Sequence, residues 1–327
     1  MHMKCRPAIH MLLYAIIGTA SLPLSAIADW EEEEDYEEAE IFATERLIAA
    51  IRLNRMQELT HLVEVEKMAL NNPDKQGDTP LLCAVQCGNA PAVSLLLRNG
   101  ANADVCNARG NTALHLAAEA GHAAIIRMLL QHGVNADTKG DFSWTALMYA
   151  IGNGHSAVAE YLLAAGANPN AADKMGQTPL LMAAQRRQKA CAACIYRAGG
   201  RYGDELISAV LAQNTTELEQ LLRNGANPNS CAPNGDTALM LACSYATPQI
   251  RSMLLHSKDI QLNARNAEGN TALILAAQHA DNTVLQELIR AGANVHSVNN
   301  RGHSALSYAL VLKNELCVKI LLSSGAK

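Results

Sequence analysis

The chain has 327 residues, enough for two ordinary domains or one long solenoid. Apolar residues make up 49% of it, yet Phe and Trp occur only twice each, which argues against a large aromatic-lined pocket and suits a core of Ala and Leu in short, tightly packed helices. The net charge is −5 and no basic stripe is visible, which argues against nucleic acid as a partner.

Residues 1–28 read as a secretory signal peptide. Lys4 and Arg6 make a basic start, an apolar run follows from Ile9 to Gly18, and Ala26-Ile27-Ala28 supplies a small-residue cleavage pattern after Pro23. The run is short for a membrane span. Cleavage after Ala28 would place the chain in a periplasm or outside the cell, with no membrane contact beyond the signal. Residues 29–40 follow as an acidic leader holding nine acids, among them Glu31-Glu32-Glu33-Glu34-Asp35. Such a run is expected to be solvated and disordered, or to steer the protein toward a basic partner. The cleaved chain would carry 24 basic and 31 acidic residues, a net charge of −7.

From residue 41 onward one block recurs: Gly, any residue, Thr, Pro or Ala, Leu. Its anchors are Thr79, Thr112, Thr145, Thr178, Thr237 and Thr271, with Ser304 closing the series, and the steps are 33, 33, 33, 59, 34 and 33 residues. A period near 33 signals stacked helical repeats, in which one unit cannot bury its faces alone. Gly77 and Gly110 allow a tight turn at no steric cost. The threonines can cap a first helix. Leu114, Ala117 and Ala118 form one apolar face at helical spacing. Gly88, Gly121 and Gly154 end that helix, and Leu129-Leu130 buries a second one. Asn54 in the first unit and Lys313 in the last stand where glycine is usual. Solvent-tolerant residues are expected at both ends, where the units act as caps.

The third unit carries the pattern best: Asn107 through Gly110-Asn111-Thr112, then Leu114-His115, Ala117-Ala118, Gly121-His122, Leu129-Leu130 and Gly133. In this the chain resembles the ankyrin-repeat family over nearly everything from Ile41 to Lys327. The resemblance implies an all-α repeat solenoid, an ankyrin stack of helix-turn-helix units with short β-hairpin fingers. About nine units fill residues 41–327, the first and the sixth degenerate. It also implies binding of another protein through finger tips and the exposed side of the first helices; a non-enzymatic monomer is expected.

The 59-residue step divides into 33 and 26. Leu206, Ala209 and Val210 fall in register with the first helix of unit five, and Asp204 replaces the threonine. Only five residues separate Gly199 from Asp204, whereas twelve separate Gly166 from Thr178. The seven missing residues are those of a finger, so both helices should survive beside a notch in the finger row.

No catalytic signature is present. His115, His122 and His155 occupy repeat positions where they are expected to bond nearby backbone, and no metal motif surrounds them. No cofactor is implied. Cys191-Ala-Ala-Cys194 resembles a redox pair, but both residues fall at apolar helix positions with no thioredoxin-like strand–helix–strand pattern around them. Cys83, Cys243 and Cys317 also fall at packed positions, while Cys87, Cys106 and Cys231 fall at exposed ones. A thiol-redox protein using Cys191 and Cys194 and a secreted host-directed effector are the alternatives to a binding scaffold.

One finger is anomalous. Phe142-Ser143-Trp144 replaces the small polar residues found elsewhere, such as Gln76-Gly77-Asp78. On an extended arm Phe142 and Trp144 would share a face, and aromatic anchors dominate interfaces. The expected partner-binding residues are Phe142 and Trp144, flanked by Asn111, Asn153, Gln177, Arg186 and Tyr245.

Overall fold

The chain folds as an all-α repeat solenoid; the computed structural model describes residues 33–327. The expected signal peptide lies outside the described residues, as does the start of the acidic leader. By compactness the chain divides into two segments, one ending at Leu116 and one running Ala117–Lys327.

In the first segment a helix spans Glu33–Arg52 and buries Leu47, Ile48 and Ile51. Residue 40 is not an element boundary, because the acidic residues from Glu33 onward form the first turns of this helix. Charge alone suggested disorder there. Glu is a strong helix former, however, and acidic residues suit the positive end of the helix dipole. A left-handed Asn54 ends the helix and leads into Met56–Thr60. The first complete repeat pairs Pro80–Gln86 with Ala90–Arg98. Thr79 caps the former through the Leu82 N–H, and Pro80 sits in the first turn, where no N–H is missed.

The third repeat supplies the helices Ala113–Ala120 and Ala123–Gln131. Six more pairs follow in the second segment: Ala146–Gly152 with Ser156–Ala164, Pro179–Gln185 with Lys189–Arg197, Glu205–Leu211 with Thr215–Arg223, Ala238–Tyr245 with Pro248–Leu255, Ala272–Gln278 with Asn282–Arg290, and Ala305–Val311 with Glu315–Ser323. Within each segment first helices stack on first helices, and most second helices on second ones. Ala146, Ala150, Ala183, Ala209, Ala242 and Ala277 are fully buried, so neighbouring backbones approach closely.

Except in repeat seven, where Ala246 is extended, the turn between the helices of a pair puts one residue in the left-handed region. Gly88, Gly121 and Gly154 hold it in three repeats, whereas Arg187, Gln213, Ala280 and Lys313 take it with positive φ in later ones. Behind the helices an asparagine ladder joins neighbours. Asn170 Oδ1 accepts from the Arg201 N–H at 2.7 Å, Asn229 Oδ1 from Gln261 at 2.8 Å, and Asn263 Oδ1 from Asn294 at 2.8 Å.

The notch is present. Both helices of repeat six form, and Asp204 caps the first of them through the Ile207 N–H at 2.8 Å. A Cβ added at Gly235 or Gly269 would meet the next finger, whereas one at Gly176 would meet nothing within 4 Å. Tyr202 is buried in the shortened loop, whose backbone is clamped by the Ser208 hydroxyl. The first helices of repeats five and seven touch one another across this position. Gln213 Nε2 of repeat six donates to the Tyr245 carbonyl of repeat seven at 3.3 Å.

The last repeat departs from the expected cap. Lys313, Glu315 and Lys319 are exposed on it as expected, but so are Leu310, Val311 and Leu322, so its end is mixed rather than wholly polar. Among the described residues no helix is long and apolar enough to cross a membrane.

Candidate protein-binding surface

A regular finger is a five-residue turn closed by its first side chain. In repeat eight Asn266 Oδ1 accepts from the N–H groups of Glu268 and Asn270, at 3.1 and 2.9 Å. Asp74, Asn107, Asp173 and Asn299 do the same in their own repeats. The fourth residue is a left-handed glycine, as at Gly269. Three fingers carry a single antiparallel bridge, as between Cys231 and Thr237, rather than an extended ladder.

Repeat four breaks each of these rules. Gly140 stands where the closing Asp or Asn should be, and Ser143 where the glycine should be. Phe142 and Ser143 are both left-handed, with φ of 55° and 62°. Two consecutive non-glycine residues in that region are strained. The tip is therefore a tight turn and not the extended arm expected of it, and Phe142 and Trp144 do not share a face. Phe142 is 65% exposed. Trp144 is half-buried: its indole N–H donates to Asp173 Oδ2 at 3.2 Å, its ring meets Tyr149 edge-on at 5.4 Å, and it lies over Gly152. Beneath it the Thr145 hydroxyl is buried with no hydrogen-bond partner.

The flanking candidates separate into three groups. Arg186 and Asn153 are exposed, the latter with its side-chain amide on the Tyr149 carbonyl. Gln177 is half-buried in its own finger. Asn111 is only 3% exposed, whereas Tyr245 is half-buried beside repeat six, with Gln213 Nε2 donating to its carbonyl. Position in the repeat marked both as surface, but Asn111 is buried and Tyr245 half-buried. Sequence reasoning missed Met175, the next finger tip, which is 84% exposed. Its signal was available, because Met175 occupies the same position as Phe142, where other fingers carry Gln76, Arg109, Asn234, Glu268 and Arg301.

The thiols and histidines occupy structural settings. Burial pushes the Cys191 thiol up to about 11 and the Cys243 thiol up to about 12. Cys194 is also raised, by burial first and then by its hydrogen bond to Glu160, against the lowering effect of Arg197. A redox thiol needs the opposite shift. His115 Nδ1 accepts from the Thr112 N–H at 3.1 Å, and His155 bonds the Glu119 carbonyl at 3.0 Å. Among the described residues no group of three or more His, Cys, Asp or Glu could hold a metal ion.

Paired helices joined by short turns and exposed fingers define a repeat scaffold of the protein-binding class. The chain matches the family profile "Ankyrin repeats (3 copies)" over residues 47–140, 88–173, 133–201, 206–299 and 253–327, and it belongs to the ankyrin-repeat family. A stretch of 108 residues is 35% identical to "Neurogenic locus notch homolog protein 1" of Mus musculus and 34% identical to that of Homo sapiens. It is 33% identical to "Neurogenic locus notch homolog protein 2" of Homo sapiens. The stretch covers 33% of this chain and 4% of each of those proteins.

Proposed function

We propose that this chain is a non-enzymatic scaffold that captures one protein partner in a periplasm or outside the cell, as an accessory or protective partner of an exported enzyme. The repeat family supports binding as the activity. Residues 1–28 support export, and Phe142 with Trp144 supports the place. Phe142 carries that reading: a large apolar side chain is held 65% exposed on a strained turn. Strain persists where the surrounding structure over-determines it, and such sites gather at places of function. Trp144 holds the finger and Phe142 meets the partner.

The test is affinity capture from the protein's own cells with the unaltered chain and with Phe142 and Trp144 both replaced by Ala, alongside thermal melting. Loss of one partner, with Phe142→Ala alone retaining stability, is the expected result. Unchanged capture with lowered stability would show that the finger only packs.

A further inference from the structure

The partner's chemistry is legible in repeat five. From Lys174 to Gly203 the chain holds six basic residues, Lys174, Arg186, Arg187, Lys189, Arg197 and Arg201, and no acidic one, although the whole protein is net negative. Arg201 is stacked on Tyr196 and bonded to backbone carbonyls, and Arg197 is turned to Cys194. Lys174, Arg186, Arg187 and Lys189 remain exposed on the finger and on the turn between the helices.

This charge adjoins the apolar tips. The Lys174 N–H lies 3.5 Å from the Phe142 carbonyl, which brings the Phe142 and Met175 fingers side by side. The position of a Cβ at Gly152 is 3.0 Å from the edge of the Trp144 ring and 4.0 Å from Arg186 Nη2. Arg186 therefore lies near the Trp144 ring of the finger that carries Phe142, on one side of this surface. Two acids border it, and both are engaged within the fingers. Asp173 uses one oxygen for the Met175 and Gln177 amides and the other for the Trp144 indole. Asp141 accepts from the Phe142 N–H at 2.8 Å. Beyond Met175 the finger row is open, because repeat six has none.

We infer that the paired tips Phe142 and Met175, flanked by Lys174 and Arg186 with Arg187 and Lys189 on the adjoining turn, form a docking surface for an acidic peptide segment that carries one large apolar anchor. This rests on the reading of the protein as a binding scaffold and adds the chemistry of what it binds. The tips would hold the anchor, and the basic side chains would set orientation, association rate and salt dependence.

A fluorescein-labelled glutamate-rich peptide with one central Trp serves as the probe, titrated onto the full chain at low and physiological salt. Two control peptides carry Gln for Glu, or Ala for Trp. The expected result is binding that weakens with salt and falls about tenfold with Arg186→Glu and Arg187→Glu together. Phe142→Ala with Met175→Ala should weaken it by a similar factor, and each control peptide should bind correspondingly worse. Lys313→Glu with Lys319→Glu, in the last repeat, should leave affinity unchanged. The inference is overturned if the probe does not bind or if the Arg186 and Arg187 reversals have no effect. It is equally overturned if the Lys313 and Lys319 reversals weaken binding as much, or if a single-stranded oligonucleotide of equal charge binds more tightly than the peptide. A partner captured through Phe142 but indifferent to the Arg186 and Arg187 reversals would overturn the acidic chemistry and leave the scaffold reading standing.

Discussion

The fingers of repeats eight and four occupy the same register and close their turns differently. In repeat eight Asn266 binds two amides of its own turn and reaches Asp236 of the previous finger at 2.7 Å. Gly269 takes the left-handed position, and Thr271 caps the next helix through the Ile274 N–H. In repeat four the closing side chain is absent, two non-glycine residues are left-handed, and the Thr145 hydroxyl is unsatisfied. What holds that finger is Trp144, bonded to Asp173 and lying over Gly152. One finger is held from within by a short polar side chain, and the other is braced from outside by a large aromatic one. The second arrangement leaves an apolar side chain standing at its tip.

Removing each device tests this contrast. Asn266→Ala should destabilise most, by about 3 kcal/mol in denaturant unfolding, because three hydrogen bonds go and two turn amides lose their partner. An effect below about 1 kcal/mol would mean that water replaces the side chain and that the two fingers do not differ in kind. Trp144→Ala should cost about 2 kcal/mol, less than a fully buried aromatic would, while Phe142→Ala should stay within about 0.5 kcal/mol, as surface changes do. Equal effects of the two would abolish the division between brace and contact. Ser143→Gly should stabilise by about 1 kcal/mol, since glycine carries no penalty at a positive φ.

The turn between the helices reverses the comparison. There repeat four holds glycine at Gly154 and repeat eight holds Ala280, with φ of 81° and 55°. Ala280→Gly should gain up to about 1 kcal/mol and Gly154→Ala lose about as much. An added Cβ at Gly154 meets only the Gln188 amide at 3.9 Å, so the change reports backbone strain alone. Thermal melting of the two variants should move in opposite directions.

The period of the threonines made the repeat register legible, and with it the helix pairs, the lost sixth finger and the buried settings of Cys191, Cys243 and His115. Local spacing carries that information because each repeat folds on the same pattern. Contacts between repeats were harder to read. Asn111 and Tyr245 look like surface positions within one repeat, yet Asn111 is buried and Tyr245 half-buried. The asparagine ladder joins residues about 31 apart, with no local signal in either partner. The basic side chains of repeat five are scattered over 28 residues, and only the fold brings Arg186 beside Trp144. Acidity suggested disorder before residue 41, where helix propensity prevails from Glu33.

Site-specific photocrosslinking in the protein's own cells tests the central claim most directly, with a benzophenone side chain placed at residue 142, at 175, or at 268. Residues 142 and 175 should each yield the same single protein adduct, and residue 268, at the tip of the regular finger of repeat eight, should yield none. An adduct from 268 with none from 142 would place the binding surface elsewhere and contradict the account.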